Sequence, residues 1–251
     1  MRKLGTIVAA AALLAAGCAT STGEGEGSTT LTVFAAASLT ESFGAMKPAF
    51  EAAHPGTEVR FNFAGSSSLV QQLSNGATAD VFASADRANM DKAEQAGVVE
   101  GAPSPFATNQ LTIAVAPGNP EGITSLADLT RDGLNVVVCA PQVPCGSATQ
   151  KVERGTGVTL KPVSEEQDVK QVLAKVQSGD ADAGLVYVTD ATSAGDKVGE
   201  VDFPEAAQAV NEYPIAVVRD APHTDLATQW VDFVLGEQGR AELRKVGFGT
   251  P

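Results

Sequence analysis

Apolar residues in this chain follow two spacings that alternate from one segment to the next. At 31–36 a short, largely apolar run is typical of a strand, whereas at 40–53 Phe43, Met46 and Phe50 recur at helical spacing. Segments of these two kinds follow one another over most of the chain. Such alternation predicts an α/β fold in which helices flank mainly parallel sheets.

The remaining elements continue the same pattern from residue 58 onward. Further strands are predicted at 58–63, 80–83, 110–116, 135–139, 160–163, 183–188 and 213–218. Further helices are predicted at 68–75, 87–96, 125–129, 147–154, 167–177 and 224–246, the last with a break near Gly236.

The folded region is long for one sheet, so the pattern favours two lobes. The chain is expected to enter the second lobe near 108–111 and to return near 209–214. We therefore assign 30–109 and 210–251 to lobe 1 and 110–209 to lobe 2. Two crossings predict a hinge, and ligands of such sheets bind at the carboxyl ends of the strands, beside helix N-termini.

The first residues have the pattern of an export signal. Arg2 and Lys3 precede an apolar run at 7–16 that is too short to cross a bilayer. A cysteine, Cys18, follows the small residues that end the run. This order predicts a lipoprotein signal peptide at 1–17, cleaved before Cys18, with lipidation of Cys18. The alternative is ordinary secretion, with Cys18 removed or left unmodified.

The segment 18–29 is predicted to be a flexible tether, since after Cys18 it contains only Ala, Thr, Ser, Gly and Glu. No later segment is long and apolar enough to suggest a membrane span. We therefore expect the folded part to lie outside the cytoplasmic membrane, held to the cell membrane by the lipid alone.

Two further cysteines, Cys139 and Cys145, are six residues apart with Pro141 and Pro144 between them. In an oxidising compartment this spacing favours a small disulfide loop. The alternative is a pair of buried free thiols. A metal site is disfavoured, because no histidine or further cysteine lies nearby to complete a set of ligands.

The charge balance excludes some classes of partner. Lys and Arg number 17 against 30 Asp and Glu, a net charge of −13, and removal of Arg2 and Lys3 with the signal peptide leaves 15 against 30, or −15. Such a chain is not expected to bind nucleic acid or anionic lipid surfaces. A small anion remains possible as a ligand, because local donors can outweigh the overall charge.

Motifs of catalysis are missing from the sequence. The two histidines, His54 and His223, have the context of surface residues, and no nucleophile elbow, phosphate loop, dinucleotide fingerprint or metal-binding histidine pair occurs. Neither an enzyme nor a resident cofactor is therefore predicted. The alternative, a serine esterase-like enzyme, would need a base near Ser66, and neither histidine is placed to supply one.

Small polar residues lie instead at four predicted strand-to-helix turns. Ser38, Ser66 and Cys145 lie at three of these turns, and Val169 with Asp168 lies at the fourth. Each turn offers unpaired backbone N–H groups at the positive end of a helix, and the serines add hydroxyl donors. Four such turns in one cleft would hold a small, fully deprotonated oxyanion. The alternative is plain helix capping.

Several motifs together give the chain a resemblance to the periplasmic molybdate-binding proteins of bacterial ABC importers, over about 31–248. The motifs are VFAAASL at 33–39, GSSSL at 65–69, ADVFASAD at 79–86, DV at 168–169, GLVYVTDA at 184–191 and EYPIAV at 212–217. The resemblance implies a two-lobed periplasmic-binding-protein (type II) fold that closes on molybdate or tungstate. It also implies an ABC permease and its ATPase as partners, and we expect a monomer.

The resemblance also implies which residues bind the anion. Serines of the first two motifs match Ser38 and Ser66, although Ser67 and Ser68 are close alternatives for the second. Backbone donors match Cys145 and Val169, and a tyrosine hydroxyl matches Tyr187. Family members often carry alanine where this chain has Cys145. A backbone N–H can donate whichever side chain the residue carries, so the cysteine should not affect binding unless the disulfide distorts the loop.

The chemistry of these groups agrees with the resemblance. Molybdate is a dianion at neutral pH and needs only donors, whereas phosphate is partly protonated and gains from a carboxylate acceptor. The one nearby carboxylate, Asp168, is expected to cap its own helix. Tungstate is close to molybdate in size and should compete. Sulfate, phosphate or another small oxyanion remains the alternative cargo.

Overall fold

The computed structural model of the protein describes residues 28–251. The predicted signal peptide at 1–17, the lipidation site Cys18 and the tether as far as residue 27 lie outside the described residues. Within 28–251, no helix has both the length and the apolar character needed to cross a membrane.

The described chain is built from alternating strands and helices. The strands are β1 (Thr29–Ala36), β2 (Thr57–Ala64), β3 (Val81–Ala83), β4 (Val99–Asn109), β5 (Leu111–Val115), β6 (Val136–Cys139), β7 (Ser164–Glu166), β8 (Ala183–Tyr187), β9 (Gly199–Val201) and β10 (Asn211–Val218). The α-helices are α1 (Thr40–Ala53), α2 (Ser66–Ser74), α3 (Arg87–Gln95), α4 (Pro144–Thr156), α5 (Val169–Ser178), α6 (Val188–Ala194), α7 (Thr224–Leu235) and α8 (Glu237–Lys245). Short 3-10 helices occupy Ala37–Leu39, Leu126–Thr130, Gly195–Lys197 and Pro204–Ala209.

The strands form two five-stranded sheets, which confirms the predicted α/β fold with two lobes. The order is β2-β1-β3-β10-β4 in the first sheet and β7-β6-β8-β5-β9 in the second. Both sheets are mixed: four strands of each run in the same direction, and β10 or β5 runs antiparallel to its neighbours. Each of these strands starts just after the chain has crossed between the sheets. It therefore enters its sheet from the end at which the parallel strands finish.

The two crossings lie side by side. Gln110 alone separates β4 from β5, and the chain returns to the first sheet between Ala209 and β10. Asn109 and Asn211, at the ends of β4 and β10, face each other in the register of these two strands. The hinge between the lobes is thus a short, hydrogen-bonded pair of strands.

Each lobe has its own apolar core. In the first lobe, Trp230 of α7 is fully buried and meets Phe43 and Phe50 of α1 edge to face, with ring centroids 5.6 and 5.0 Å apart. The core of the second lobe is mainly aliphatic, with Ile113, Val137 and residues of α4 and α5 packed around β8. These cores hold the strand ends rigidly on both sides of the cleft between the lobes.

Most predicted elements are present, and the exceptions have local causes. The strand predicted at 160–163 is wrong: β7 begins at Ser164, and Val163 is 58% exposed. The long strand β4 was not predicted, because Pro103 and Pro105 lie within it. Proline is tolerated there since β4 lies at the edge of its sheet. Helix α4 begins at Pro144, three residues before the predicted start.

The disulfide between Cys139 and Cys145 is present, which confirms the favoured pairing. It joins the end of β6 to the first turn of α4, with Cα atoms 5.6 Å apart. The loop is tight, because a Cβ at Gly146 would overlap the carbonyl oxygen of Ala140. Disulfide and glycine together fix the start of α4 against the end of β6.

Reduction of the Cys139–Cys145 bond is expected to lower the free energy of unfolding by about 2 kcal/mol, because the closed loop restricts the unfolded chain. Urea denaturation with and without reductant measures this change. A variant carrying Cys139→Ser and Cys145→Ser is the control and should not respond to reductant. Two titratable thiols in the unreduced protein, or an unchanged midpoint, would contradict the prediction.

Candidate functional site

A small cavity lies between the two sheets, where several helices begin. Its volume, including the opening to solvent, is about 190 Å³. Its walls come from both lobes. The lining residues are Ala36, Ala37, Ser38, Ala64, Gly65, Ser66, Ala85, Val143, Pro144, Cys145, Asp168, Val169 and Tyr187.

The structure brings together all five residues that the sequence singles out for anion binding. Ser38 lies in the 3-10 turn after β1, Ser66 begins α2, and Tyr187 ends β8. Cys145 lies in the first turn of α4, and Val169 begins α5. Each of the five is at most 3% exposed.

The neighbouring serines Ser67 and Ser68 do not line the cavity. Both are only half-buried, and the Ser68 hydroxyl accepts a hydrogen bond from Gln72 within α2 at 3.4 Å. Of the three adjacent serines, Ser66 is therefore the one in a position to bind a ligand in this cavity.

Helices α2, α4 and α5 all start at the cavity wall. The first N–H groups of a helix have no acceptor within it, so each start presents unpaired donors and the positive end of a helix dipole. At Gly65, just before α2, a Cβ would overlap the carbonyl oxygen of Gln167, just before α5. The absence of a side chain at Gly65 lets the starts of α2 and α5, from opposite lobes, lie close together.

Three hydroxyl groups add to these backbone donors. The Ser66 hydroxyl accepts from the Ala85 N–H at 3.0 Å, and the Ser38 hydroxyl lies 2.9 Å from that of Tyr213. Burial raises the pKa of Tyr187 well above its ordinary value and also raises the pKa of Tyr213. Both tyrosines therefore keep their hydroxyl hydrogens at neutral pH.

Asp168 is the one acidic residue among the described residues that line the cavity. Its side chain is turned toward its own helix. Its carboxylate accepts from the backbone N–H and the side-chain amide of Gln171, at 2.9 and 2.7 Å. This is the predicted cap of α5. The cavity therefore offers donors from neutral groups and positive helix ends, without a carboxylate directed at its centre.

The two lobes also touch through polar contacts beside the cavity. Lys170 of α5 forms an ion pair with Glu41 of α1 at 2.8 Å and another with the buried Asp190 at 2.9 Å. Burial opposes the charge of Lys170, but Asp190 and Glu41 outweigh it and raise the Lys170 pKa. The structure thus has its lobes together, with an ion pair across the cleft.

No histidine lies among the described residues that line the cavity. The His54 ring contacts the Phe50 carbonyl, and His223 contacts Asp80, so neither histidine faces Ser38 or Ser66. Among residues 28–251, no group of three or more His, Cys, Asp or Glu side chains could hold a metal ion.

Sequence reasoning missed several residues that contact the hydroxyls at the site. Asn109 contacts the Tyr213 hydroxyl, Asn211 contacts the Tyr187 hydroxyl, and the Ala85 N–H donates to the Ser66 hydroxyl. Tyr213 was read only as a hinge or strand residue, yet its hydroxyl contacts Ser38. Their contacts depend on the pairing of β10 with β3 and β4, and no local pattern in the sequence reveals that pairing.

Comparison with known proteins places the chain among transport receptors. Residues 31–249 match the family model of bacterial extracellular solute-binding proteins. The molybdate-binding protein ModA of Mycobacterium tuberculosis is 54% identical over 229 residues, which cover 91% of this chain and 88% of that protein.

Solved structures give the same fold. The periplasmic molybdate-binding protein of Azotobacter vinelandii matches with a TM-score of 0.77 at 22% identity, covering 88% of this chain and 99% of that chain. The sulfate-binding protein SubI of M. tuberculosis matches with a TM-score of 0.76 at 22% identity, covering 88% and 86%. These two structures confirm the two-lobed periplasmic-binding-protein fold. Since the family model spans nearly all of the described residues, the chain belongs to the bacterial extracellular solute-binding proteins.

Proposed function

We propose that this protein captures molybdate, or tungstate in its place, between its two lobes and delivers it to an ABC importer. The observation that carries the proposal is a cavity walled by helix N-termini and hydroxyl donors, into which no carboxylate points. The 54% identity to a protein named for molybdate binding supports the choice of anion.

The donors proposed for the anion come from both lobes. Ser38 and Ser66 belong to the first sheet's side, and Cys145, Val169 and Tyr187 belong to the second. An anion that accepts from both sets favours the closed arrangement over any open one, because the donors meet only on closure. The two bodies that would close are lobe 1, at 30–109 and 210–251, and lobe 2, at 110–209.

The number of donors is sufficient for tight binding. A hydrogen bond to a charged group contributes about 1.5–3 kcal/mol, and a dissociation constant of 1 μM corresponds to about −8 kcal/mol. Five donors would supply roughly this free energy after part of it is offset by the cost of ordering. Helix dipoles would add to the attraction for a dianion.

The same set of donors should bind molybdate more tightly than phosphate. Hydrogen phosphate carries an O–H group, which needs an acceptor, and the Asp168 carboxylate is already engaged with Gln171. A buried donor without an acceptor costs about 1–3 kcal/mol. Molybdate and tungstate carry no hydrogen at neutral pH and avoid this cost.

Sulfate is the second candidate. It has the charge and shape of molybdate, and the sulfate-binding protein SubI shares this fold with a TM-score of 0.76. Its smaller size would leave some donors too far from its oxygens in a cavity shaped for a larger anion. Sulfate is therefore proposed as the weaker ligand.

The protein is further proposed to work outside the cytoplasmic membrane, anchored by lipid on Cys18. The tether predicted at 18–29 would end at residue 28, because Thr29 already belongs to β1. An ABC permease with its ATPase would receive the anion, and the receptor would act as a monomer. The location agrees with the extracellular solute-binding family to which the chain belongs.

Isothermal titration calorimetry on residues 28–251 tests the cargo. Molybdate and tungstate are expected to bind with one-to-one stoichiometry and submicromolar dissociation constants. Sulfate is expected to bind at least tenfold more weakly, because about 1.4 kcal/mol lost through poorer donor contacts suffices for that factor. Tighter binding of sulfate would assign the protein to the second candidate, and no response to any of these anions would end the proposal.

Replacement of Ser38 or Ser66 with alanine is expected to weaken molybdate binding about tenfold or more, because each change removes one donor to the anion. Ser68→Ala is the matched control, since Ser68 lies on the same helix as Ser66 but outside the cavity wall. Wild-type affinity in both Ser38→Ala and Ser66→Ala would show that the anion binds elsewhere.

Lipidation can be tested in bacteria fed a labelled fatty-acid analogue. The full-length protein should take up the label and sediment with membranes, because export signals ending in a cysteine direct lipid to that residue. A Cys18→Ser variant should take up none and remain in the soluble fraction. An unlabelled wild-type protein would reject the anchor and leave the proposed cargo untouched.

A further inference from the structure

We infer that the two facing asparagines of the hinge, Asn109 and Asn211, are positioning residues that direct the hydroxyl hydrogens of Ser38 and Tyr187 into the cavity. The inference rests on the proposed function, since it concerns how the same cavity selects anions that carry no hydrogen. Both side chains are buried, at 5% and 4% exposure, and neither lines the cavity itself.

Asn211 fixes the hydroxyl of Tyr187. Its side-chain nitrogen lies 2.7 Å from the carbonyl oxygen of Ala85 and 2.8 Å from the Tyr187 hydroxyl. A carbonyl oxygen can only accept, so the nitrogen, not the oxygen, of the amide must face Ala85. Its second hydrogen then goes to Tyr187, which accepts. The hydrogen of Tyr187 is left for the cavity.

Asn109 acts in the same way through one more residue. Its side-chain oxygen accepts from the backbone N–H of Gln110 at 3.0 Å, which fixes the orientation of the amide. Its nitrogen therefore donates, to Thr189 at 2.8 Å and to the Tyr213 hydroxyl at 3.4 Å.

The donor role of Asn109 also determines the direction of the hydrogen bond between Tyr213 and Ser38. Tyr213 is fully buried, and a buried hydroxyl hydrogen needs an acceptor. Of the polar neighbours of this hydroxyl, Asn109 is a donor and the Tyr187 hydroxyl already accepts from Asn211, whereas Ser38, at 2.9 Å, is an acceptor within hydrogen-bond distance. Tyr213 therefore donates to Ser38, and the hydrogen of Ser38 is left for the cavity.

Ser66 follows the same rule without an asparagine, since its hydroxyl accepts from the Ala85 N–H. All three hydroxyls of the cavity thus receive a hydrogen bond from the protein and keep their own hydrogen for the ligand. Such a site matches tetrahedral oxyanions that have lost every hydrogen. A hydrogen phosphate would turn its O–H toward other hydrogens.

Two variants, Asn211→Asp and Asn211→Leu, distinguish a role of Asn211 in orienting the Tyr187 hydroxyl from a purely structural role. In Asn211→Asp, one carboxyl oxygen takes the place of the amide nitrogen and must carry a proton, which it donates to the Ala85 carbonyl. Since this oxygen has no second hydrogen, it can only accept from the Tyr187 hydroxyl. It then takes the Tyr187 hydrogen and turns the Tyr187 oxygen, an acceptor, toward the ligand. The leucine removes the amide, fills the space and leaves Tyr187 free to donate.

The measured quantity is the ratio of molybdate to hydrogen phosphate affinity at pH 7, from molybdate titrations at increasing sodium phosphate. Asn211→Asp is expected to lower this ratio about tenfold or more, because it removes a donor that molybdate needs and adds an acceptor that hydrogen phosphate needs. Asn211→Leu is expected to weaken both anions and keep the wild-type ratio. Thermal unfolding of each variant reports whether it is folded.

An equal loss of both anions in Asn211→Asp and Asn211→Leu, with the ratio unchanged, would overturn the inference and leave Asn211 a structural residue. Should Asn211→Asp not fold, Asn109→Asp makes the same test through Tyr213 and Ser38 and must lower the ratio as well. Failure of the wild-type protein to bind molybdate would instead reject the proposed function, before any variant is compared.

Discussion

Unpaired N–H groups in the first turns of helices are the constraint on which this structure is built. Helices α2, α4 and α5 cannot satisfy these groups internally, and the fold points all three starts at one cavity. The close approach explains the small residues there: a side chain at Gly65 would collide with the backbone before α5, and one at Gly146 with the loop before α4. A bound anion would satisfy what the helices leave open.

The two-lobed arrangement follows from where the chain crosses. Parallel strands of both sheets end at the cleft, and β5 and β10 start there, so the strand ends and the hinge lie at the same level. The hinge asparagines can therefore reach the hydroxyls of the cavity wall. The Lys170–Glu41 ion pair holds the rim of the cleft, although an exposed pair of this kind contributes little stability by itself. Under the proposed function, the larger driving force for closure would be the anion bound by donors of both lobes.

Local sequence patterns predicted much of the fold. Spacing located most helices and strands, and Asp168 caps α5 as predicted. The rules failed where tertiary context decides. Prolines in β4 are tolerated only because it is an edge strand. The five cavity residues were found through motifs, whereas Asn109 and Asn211 were missed, since their partners come from strand register and not from neighbours in sequence.

A crystal structure of the protein grown with molybdate tests the central claim most directly, because the anomalous signal of molybdenum locates the anion. The account predicts one anion between the starts of α2, α4 and α5, within hydrogen-bond distance of the Ser38, Ser66 and Tyr187 hydroxyls and of the Cys145 and Val169 N–H groups. Molybdenum at another place, or an anion held through a side chain of Lys or Arg, would contradict it.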